Sequence, residues 1–428
     1  MGEGVLTEPP PASVRRPSAI KSQMTSRIPK VELESRTRKL QAHLTANDRS
    51  AERSRRSLDG ALILQNTDLF YFSGTIQQSH LYIPVEGQPL LMTRKSLARA
   101  RQESVLDNVV PLSSPRQLPA LWQEHGYARP RRLGMELDVL PTNLFFAYQD
   151  ILGDTEIVDI SHQIRLVRAV KSPYEVDILR RAARLADVVI RSMTDFLREG
   201  VSEVELAGQL EAVARRLGHQ GIVRMRLWNN ELFYGHLMAG DDAAVPSYLS
   251  SPTGGTGLSP AVAQGSSLRP IQRYEPVLMD YVFALDGYLV DQTRIFAIGG
   301  LPDELVAGHK AMLEVQEALR GAAKPSATGG ELYDLAMGLA ADLGYGQHFM
   351  GHGDERIPFV GHGVGLELDE YPFLARGQNM PLEKGMVIAL EPKLIYPGLG
   401  VVGIEDTHLV TDDGLEPLTV SEEDIVVV

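Results

Sequence analysis

The run from Leu278 to Phe296 constrains this chain more than any other segment, because it asks for two long β-strands and then places acid inside them. Asp286-Gly287 separates two apolar, β-rich stretches, a signal for a two-residue hairpin turn of type I′. With those residues at the turn, Asp280 faces Thr293 and Asp291 faces Val282. Asp280 and Asp291 then share one face as diagonal cross-strand neighbours, with Cα atoms roughly 7–8 Å apart. Two carboxylates so spaced can converge on one metal or serve two adjacent ones. Leu278, Met279, Phe283, Leu285, Leu289 and Val290 make the hairpin apolar, and like charges buried there are costly without a cation. A solvent-facing pair of aspartates is the plainer alternative for this segment taken alone.

Three later segments carry related chemistry. In Gly361-His362-Gly363-Val364-Gly365, flanking glycines let the backbone come close while the imidazole stays reachable. Glu391 ends an apolar strand and precedes Pro392, an awkward place for a charge that has no partner. In Gly403-Ile404-Glu405-Asp406-Thr407, strand alternation turns Glu405 away from the face of Ile404 and Asp406. Each of these residues alone also reads as structural, the histidine as a core residue and the glutamates as salt-bridged ones.

The rest of the chain supplies a frame. Residues 1–30, with Pro9, Pro10, Pro11 and Pro17, read as a disordered tail or, alternatively, a basic docking segment. Residues 31–165 alternate helix and strand, predicting an α/β domain. Its elements are a helix from Val31 to Leu44, strands at Ala61–Leu64, Leu69–Phe72, His80–Ile83 and Leu90–Met92, and helices near 95–105 and 118–125. Ser172-Pro173-Tyr174-Glu175 is a capping box that opens a helix running toward Gly200. A second box begins at Ser202, and Ser202, Glu205, Leu206, Leu217 and Gly218 map onto Thr328, Glu331, Leu332, Leu343 and Gly344 at one constant offset. Residues 166–428 therefore read as an α+β domain with an internal pseudo-two-fold duplication, and a ligand site between the halves is expected.

Composition narrows the function. A formal charge of -13 argues against nucleic-acid binding, which needs clustered Lys and Arg. With 0 cysteines, thiolate metal sites and a cysteine nucleophile are excluded, so any metal must sit on oxygen and imidazole. No apolar run approaches a membrane span and no signal-peptide pattern opens the chain, so a cytoplasmic protein is the expectation.

Taken in order, Asp280, Asp291, His362, Glu391 and Glu405 resemble the metal-ligand set of the pita-bread metallopeptidases, the family of methionine aminopeptidase, aminopeptidase P and prolidase. The eleven-residue step between the aspartates, Asp-x-Thr-Arg, Gly-His-Gly-x-Gly, Glu-Pro and Glu-Asp-Thr all match. Leu58–Gly74 and Val167–Glu175 are similar to the creatinase-type N-terminal domain and the helix that enters the catalytic domain. The resemblance implies a pita-bread catalytic domain and two divalent metal ions, Mn²⁺ first, with Co²⁺, Fe²⁺ or Zn²⁺ as alternatives. In it Asp280 chelates one ion, His362 and Glu391 hold the other, and Asp291 and Glu405 bridge. A metal-bridging hydroxide would be the nucleophile and Glu391 the proton shuttle. The implied activity is that of an Xaa-Pro aminopeptidase or dipeptidase acting on short peptides, and the family suggests a homodimer.

Three positions depart from the family pattern. Two histidines usual beside the metals are Ser247 and Asp369 here, and a usual arginine is Gly403. A carboxylate at 369 repels a developing oxyanion unless protonated. His236, His348 and His352 are the candidates to supply the missing donors. The departures keep open a small-molecule C–N hydrolase or lyase acting on a small amide, and a non-catalytic binding protein.

Overall fold

The computed structural model describes residues 27–45, 57–249 and 251–428. Up to residue 26, the expected tail lies outside them. Among the described residues the strands form sheets of six, nine and two.

The six-stranded sheet runs in the order Asn108–Pro111, Leu90–Thr93, Ser79–Pro84, Gly60–Ile63, Arg132–Met135, Glu156–Asp159. Strand alternation gives it two buried faces. Leu62, Tyr82, Leu90 and Met92 pack with Trp122 on one side. Ala61, Ile63, Leu81 and Leu91 join the cluster that also holds Ile178 and Leu179 of the next domain. One expected strand is a helix instead. Asn66–Ser73 covers Leu69–Phe72, with the Gln65 side chain accepting from the Thr67 and Asp68 amides and Gly74 closing the end at φ 78°. An apolar run this short does not distinguish helix from strand, and the caps decide.

The helix opened by the Ser172 box is Pro173–Arg191, and a short turn, Met193–Phe196, follows it. It stops short of Gly200 because the Ser192 hydroxyl donates back to the Val188 carbonyl at 2.8 Å, competing with the helix ladder. The two capped helices of the repeat are Glu203–Leu217 behind Ser202 and Gly329–Asp342 behind Thr328.

The nine-stranded sheet carries the chemistry. Its path is Glu370–Ala375, Phe359–Gly363, Val387–Leu390, Glu405–Val410, Tyr288–Ala297, Val277–Leu285, Gly235–Ala239. The Asp-Gly hairpin forms in the expected register, Asp280 opposite Thr293 and Asp291 opposite Val282. Asp286 and Gly287 take the two positive φ values, 50° and 94°, that such a turn requires. A separate hairpin, Lys393–Tyr396 with Gly400–Gly403, follows Glu391.

A buried ionic network ties the domains together. Arg168 donates to Asp68 at 2.6 Å and also reaches Glu370, and Arg226 spans Asp68 and Asp138 at 2.8 and 2.6 Å. Glu367 lies 2.9 Å from Arg168. The network anchors residues 367–370, which lie beside the functional pocket.

Candidate metal centre

Asp280, Asp291, His362, Glu391 and Glu405 line one cavity of about 60 Å³. Each reaches it for a local reason. Asp280 and Asp291 come from the paired strands of the hairpin, and Glu405 lies directly across from Thr293, whose hydroxyl donates to Glu405 Oε2 at 2.8 Å. Asp406, one residue on, points the other way and accepts from Arg294 at 2.8 Å. His362 sits where its strand passes between two others so closely that a Cβ on Gly361 would meet the Ala389 carbonyl at 2.4 Å and one on Gly363 the Tyr371 carbonyl at 2.2 Å.

Four side-chain atoms converge. His362 Nε2 lies 3.6 Å from Glu391 Oε1, 3.8 Å from Glu405 Oε1 and 4.0 Å from Asp291 Oδ2. Such separations suit ligand atoms disposed around an ion roughly 2.0–2.2 Å from each. Asp291, His362 and Glu405 each offer an atom within 4.8 Å of the others. Glu405 Oε1 is buried with no hydrogen-bond partner, an acceptor that needs a cation or donor.

The charges point the same way. Burial, followed by Glu405 and Asp280, pushes the Asp291 carboxyl well above its ordinary range. Burial raises Glu405 to about 8, although Lys393 opposes it. Burial lowers His362, but Asp369, Glu391 and Glu405 outweigh it and raise the group. Acids this reluctant to ionise become good ligands once a divalent ion sits among them. By its donors and its geometry, the site fits a divalent metal.

One residue in the site carries no signal in the reading of ligands alone. Lys393 Nζ donates to Asp280 Oδ2 at 3.0 Å, Glu391 Oε2 at 2.9 Å and Glu405 Oε2 at 2.8 Å. The signal available is alternation: two positions beyond Glu391, with Pro392 between, the chain presents its next side chain to the same space.

The candidate substrate residues divide. His236 faces Asp280 across the strand pair and lines the cavity, its Nε2 buried without a partner. Asp369 also lines it, but against the far nitrogen of His362, with Oδ1 3.6 Å from Nδ1. The hydrogen bond of that nitrogen goes to the Gly363 carbonyl at 3.2 Å, which fixes the tautomer whose Nε2 lone pair faces the carboxylates. Ser247 is not brought to the cavity. Its hydroxyl is used in a local turn, accepting from the Leu249 amide at 3.0 Å, and Leu249 and Ser251 reach the wall instead. His352 is exposed and stacks on His348, whose ring lies on Tyr396, so neither imidazole lines the pocket.

Comparison with known proteins gives the same picture. Metallopeptidase family M24 matches residues 177–412, and the creatinase/prolidase N-terminal domain matches 38–170. The Xaa-Pro dipeptidase of Pyrococcus furiosus is 27% identical over 372 residues, 86% of this chain and 96% of that protein. The Xaa-Pro dipeptidase of Lactobacillus helveticus is 31% identical over 270 residues, 63% of this chain and 65% of that protein. Among solved structures, the Xaa-Pro dipeptidase from Bacillus anthracis superposes with a TM-score of 0.76 at 26% identity, covering 92% of this chain and 100% of that one. The prolidase from Pyrococcus horikoshii gives 0.74 at 25% identity, covering 91% and 99%.

Proposed function

Because this chain belongs to metallopeptidase family M24, we propose that it is an Xaa-Pro dipeptidase, hydrolysing the bond before proline in dipeptides and other short peptides. Membership makes it a metal-dependent hydrolytic peptidase with a creatinase-type N-terminal domain. The finer reading rests on one observation above all: four carboxylates and His362 meet in a small cavity of about 60 Å³, a size that suits short substrates.

Asp280, Asp291, His362, Glu391 and Glu405 are the proposed ligand set, and four carboxylates to one imidazole favour Mn²⁺, with Co²⁺, Fe²⁺ or Zn²⁺ as alternatives. Bound there, the metal would supply Lewis-acid polarisation of the scissile carbonyl and activation of water. The Glu391 carboxylate, at the edge of the ligand set, would take up the reaction's proton and deliver it to the leaving nitrogen. Burial lowers the pKa of His236, keeping the imidazole neutral, so that a ring N–H can meet the substrate carbonyl as the donor that Ser247 and Asp369 do not provide. The Gly363 carbonyl would hold the His362 ring in its ligating orientation. Met225, Leu232, Phe359 and Leu368 would form the apolar wall that keeps bulk water out. The domain division near residues 30 and 165, and a cytoplasmic homodimer, belong to the same reading. Among the described residues, no helix is long and apolar enough to cross a membrane.

A second reading, a small-molecule C–N hydrolase or lyase, is favoured by the carboxylate of Asp369 at the cavity wall. A panel of Xaa-Pro dipeptides and tripeptides assayed with Mn²⁺ separates the two. Turnover of the dipeptides is expected. Silence across the panel with metal bound would shift the assignment to the small-molecule reading.

A further inference from the structure

We propose that Lys393 is a built-in monovalent cation that replaces one of two metal ions, leaving a single divalent ion on Asp291, His362, Glu391 and Glu405. The inference rests on the metallopeptidase reading above and sharpens it from ions to one ion.

Glu391 and Glu405 each divide their two oxygens between two cation positions. Their Oε1 atoms turn toward His362 Nε2, while their Oε2 atoms accept from Lys393 Nζ. Asp280 Oδ2 completes the second position and is held by the same ammonium. A divalent ion on Asp280 Oδ2 and Glu405 Oε2 would have to take the two oxygens that Nζ already holds, and two cations on the same oxygens repel each other.

Lys393 is placed there by its own hairpin. It is 1% exposed, and it pairs directly across from Gly403. A Cβ on Gly403 would stand 2.7 Å from Lys393 Cα and 3.0 Å from Lys393 Cγ, so the bare position opposite makes room for the lysine stem. A buried ammonium needs acceptors, and its three side-chain acceptors are these carboxylates. Asp280, placed where a metal-chelating aspartate is expected, becomes the counter-ion of a lysine.

The test is stoichiometry. Full-length protein and its Lys393→Ala variant are stripped with chelator, saturated with Mn²⁺, desalted, and analysed for manganese per chain by elemental analysis and native mass spectrometry. One equivalent in the wild type and two in Lys393→Ala are expected. Two equivalents in the wild type, or one in both proteins, would overturn the proposal and leave the metallopeptidase reading standing. No bound manganese in the wild type would overturn both. Electron paramagnetic resonance of the loaded wild type needs no variant: the spectrum of an isolated Mn²⁺ is expected, and an exchange-coupled pair would refute the single-ion site.

Discussion

Lys393 Nζ lies 2.8 Å from Glu405 Oε2, while Glu405 Oε1, the other oxygen of the same carboxylate, is buried without a partner 3.8 Å from His362 Nε2. One half of this acid is satisfied by the chain itself and the other half is not. A ligand that binds only the folded protein stabilises it by mass action, about 2.7 kcal/mol at a hundredfold excess over Kd. Thermal melts with and without Mn²⁺ should therefore show a metal-dependent rise in Tm. The same Tm in chelator and in excess Mn²⁺ would contradict a bound ion.

Glu391 is the proposed carrier of the proton. Glu391→Gln keeps the shape and removes the basic oxygen, so the fold should persist while kcat falls by a factor of about 10²–10⁴. Circular dichroism together with steady-state assays on an Xaa-Pro dipeptide measures both. Activity within a few-fold of wild type would rule out the role.

Arg168 is buried among Asp68, Glu367 and Glu370. Arg168→Met leaves these acids short of a counter-charge, and breaking a buried pair from one side costs about 3–5 kcal/mol. Urea unfolding should show that loss. A change below about 1 kcal/mol would mean that Lys171 and Arg226, which also reach Glu370 and Asp68, suffice without Arg168.

His408 sets a pH dependence. Its Nε2 accepts from Arg320 Nε at 3.0 Å, and burial, with Arg320 adding to it, lowers the imidazole to about 3 from 6.5. The unfolded chain takes up the proton first as pH falls, so stability is whole above 6.5 and drains away between 6.5 and 3. From this group alone, the protein should lose about 2 kcal/mol between pH 7.5 and pH 5. Denaturant titrations at the two pH values, compared with His408→Gln, isolate the contribution. An equal pH loss in the variant would assign it elsewhere.

Much of the candidate site was legible from local rules. Asp286-Gly287 set the hairpin register, and the register placed Asp280 opposite Thr293 and Asp291 opposite Val282. Alternation turned Glu405 and Asp406 to opposite faces, where they meet the cavity and Arg294 respectively. These inferences hold because a strand has a period of two and a type I′ turn allows only a few residues. The strand expected at Leu69–Phe72 failed because a short apolar run has no period to read, and Gln65 and Gly74 acted as caps.

The amino-acid sequence by itself determined the five candidate ligands, the strands that carry most of them and the family to which the chain belongs. Only the tertiary structure decided which other groups stand beside them. It brought His236 into the cavity through strand pairing, left Ser247 in its own turn and His352 at the surface, and set Asp369 behind His362. It also put Lys393 among three carboxylates that lie 113, 12 and 2 residues away along the chain. Periodicity says which way a side chain points from its own strand, whereas its neighbours depend on how separate strands and loops pack, and that geometry is not local.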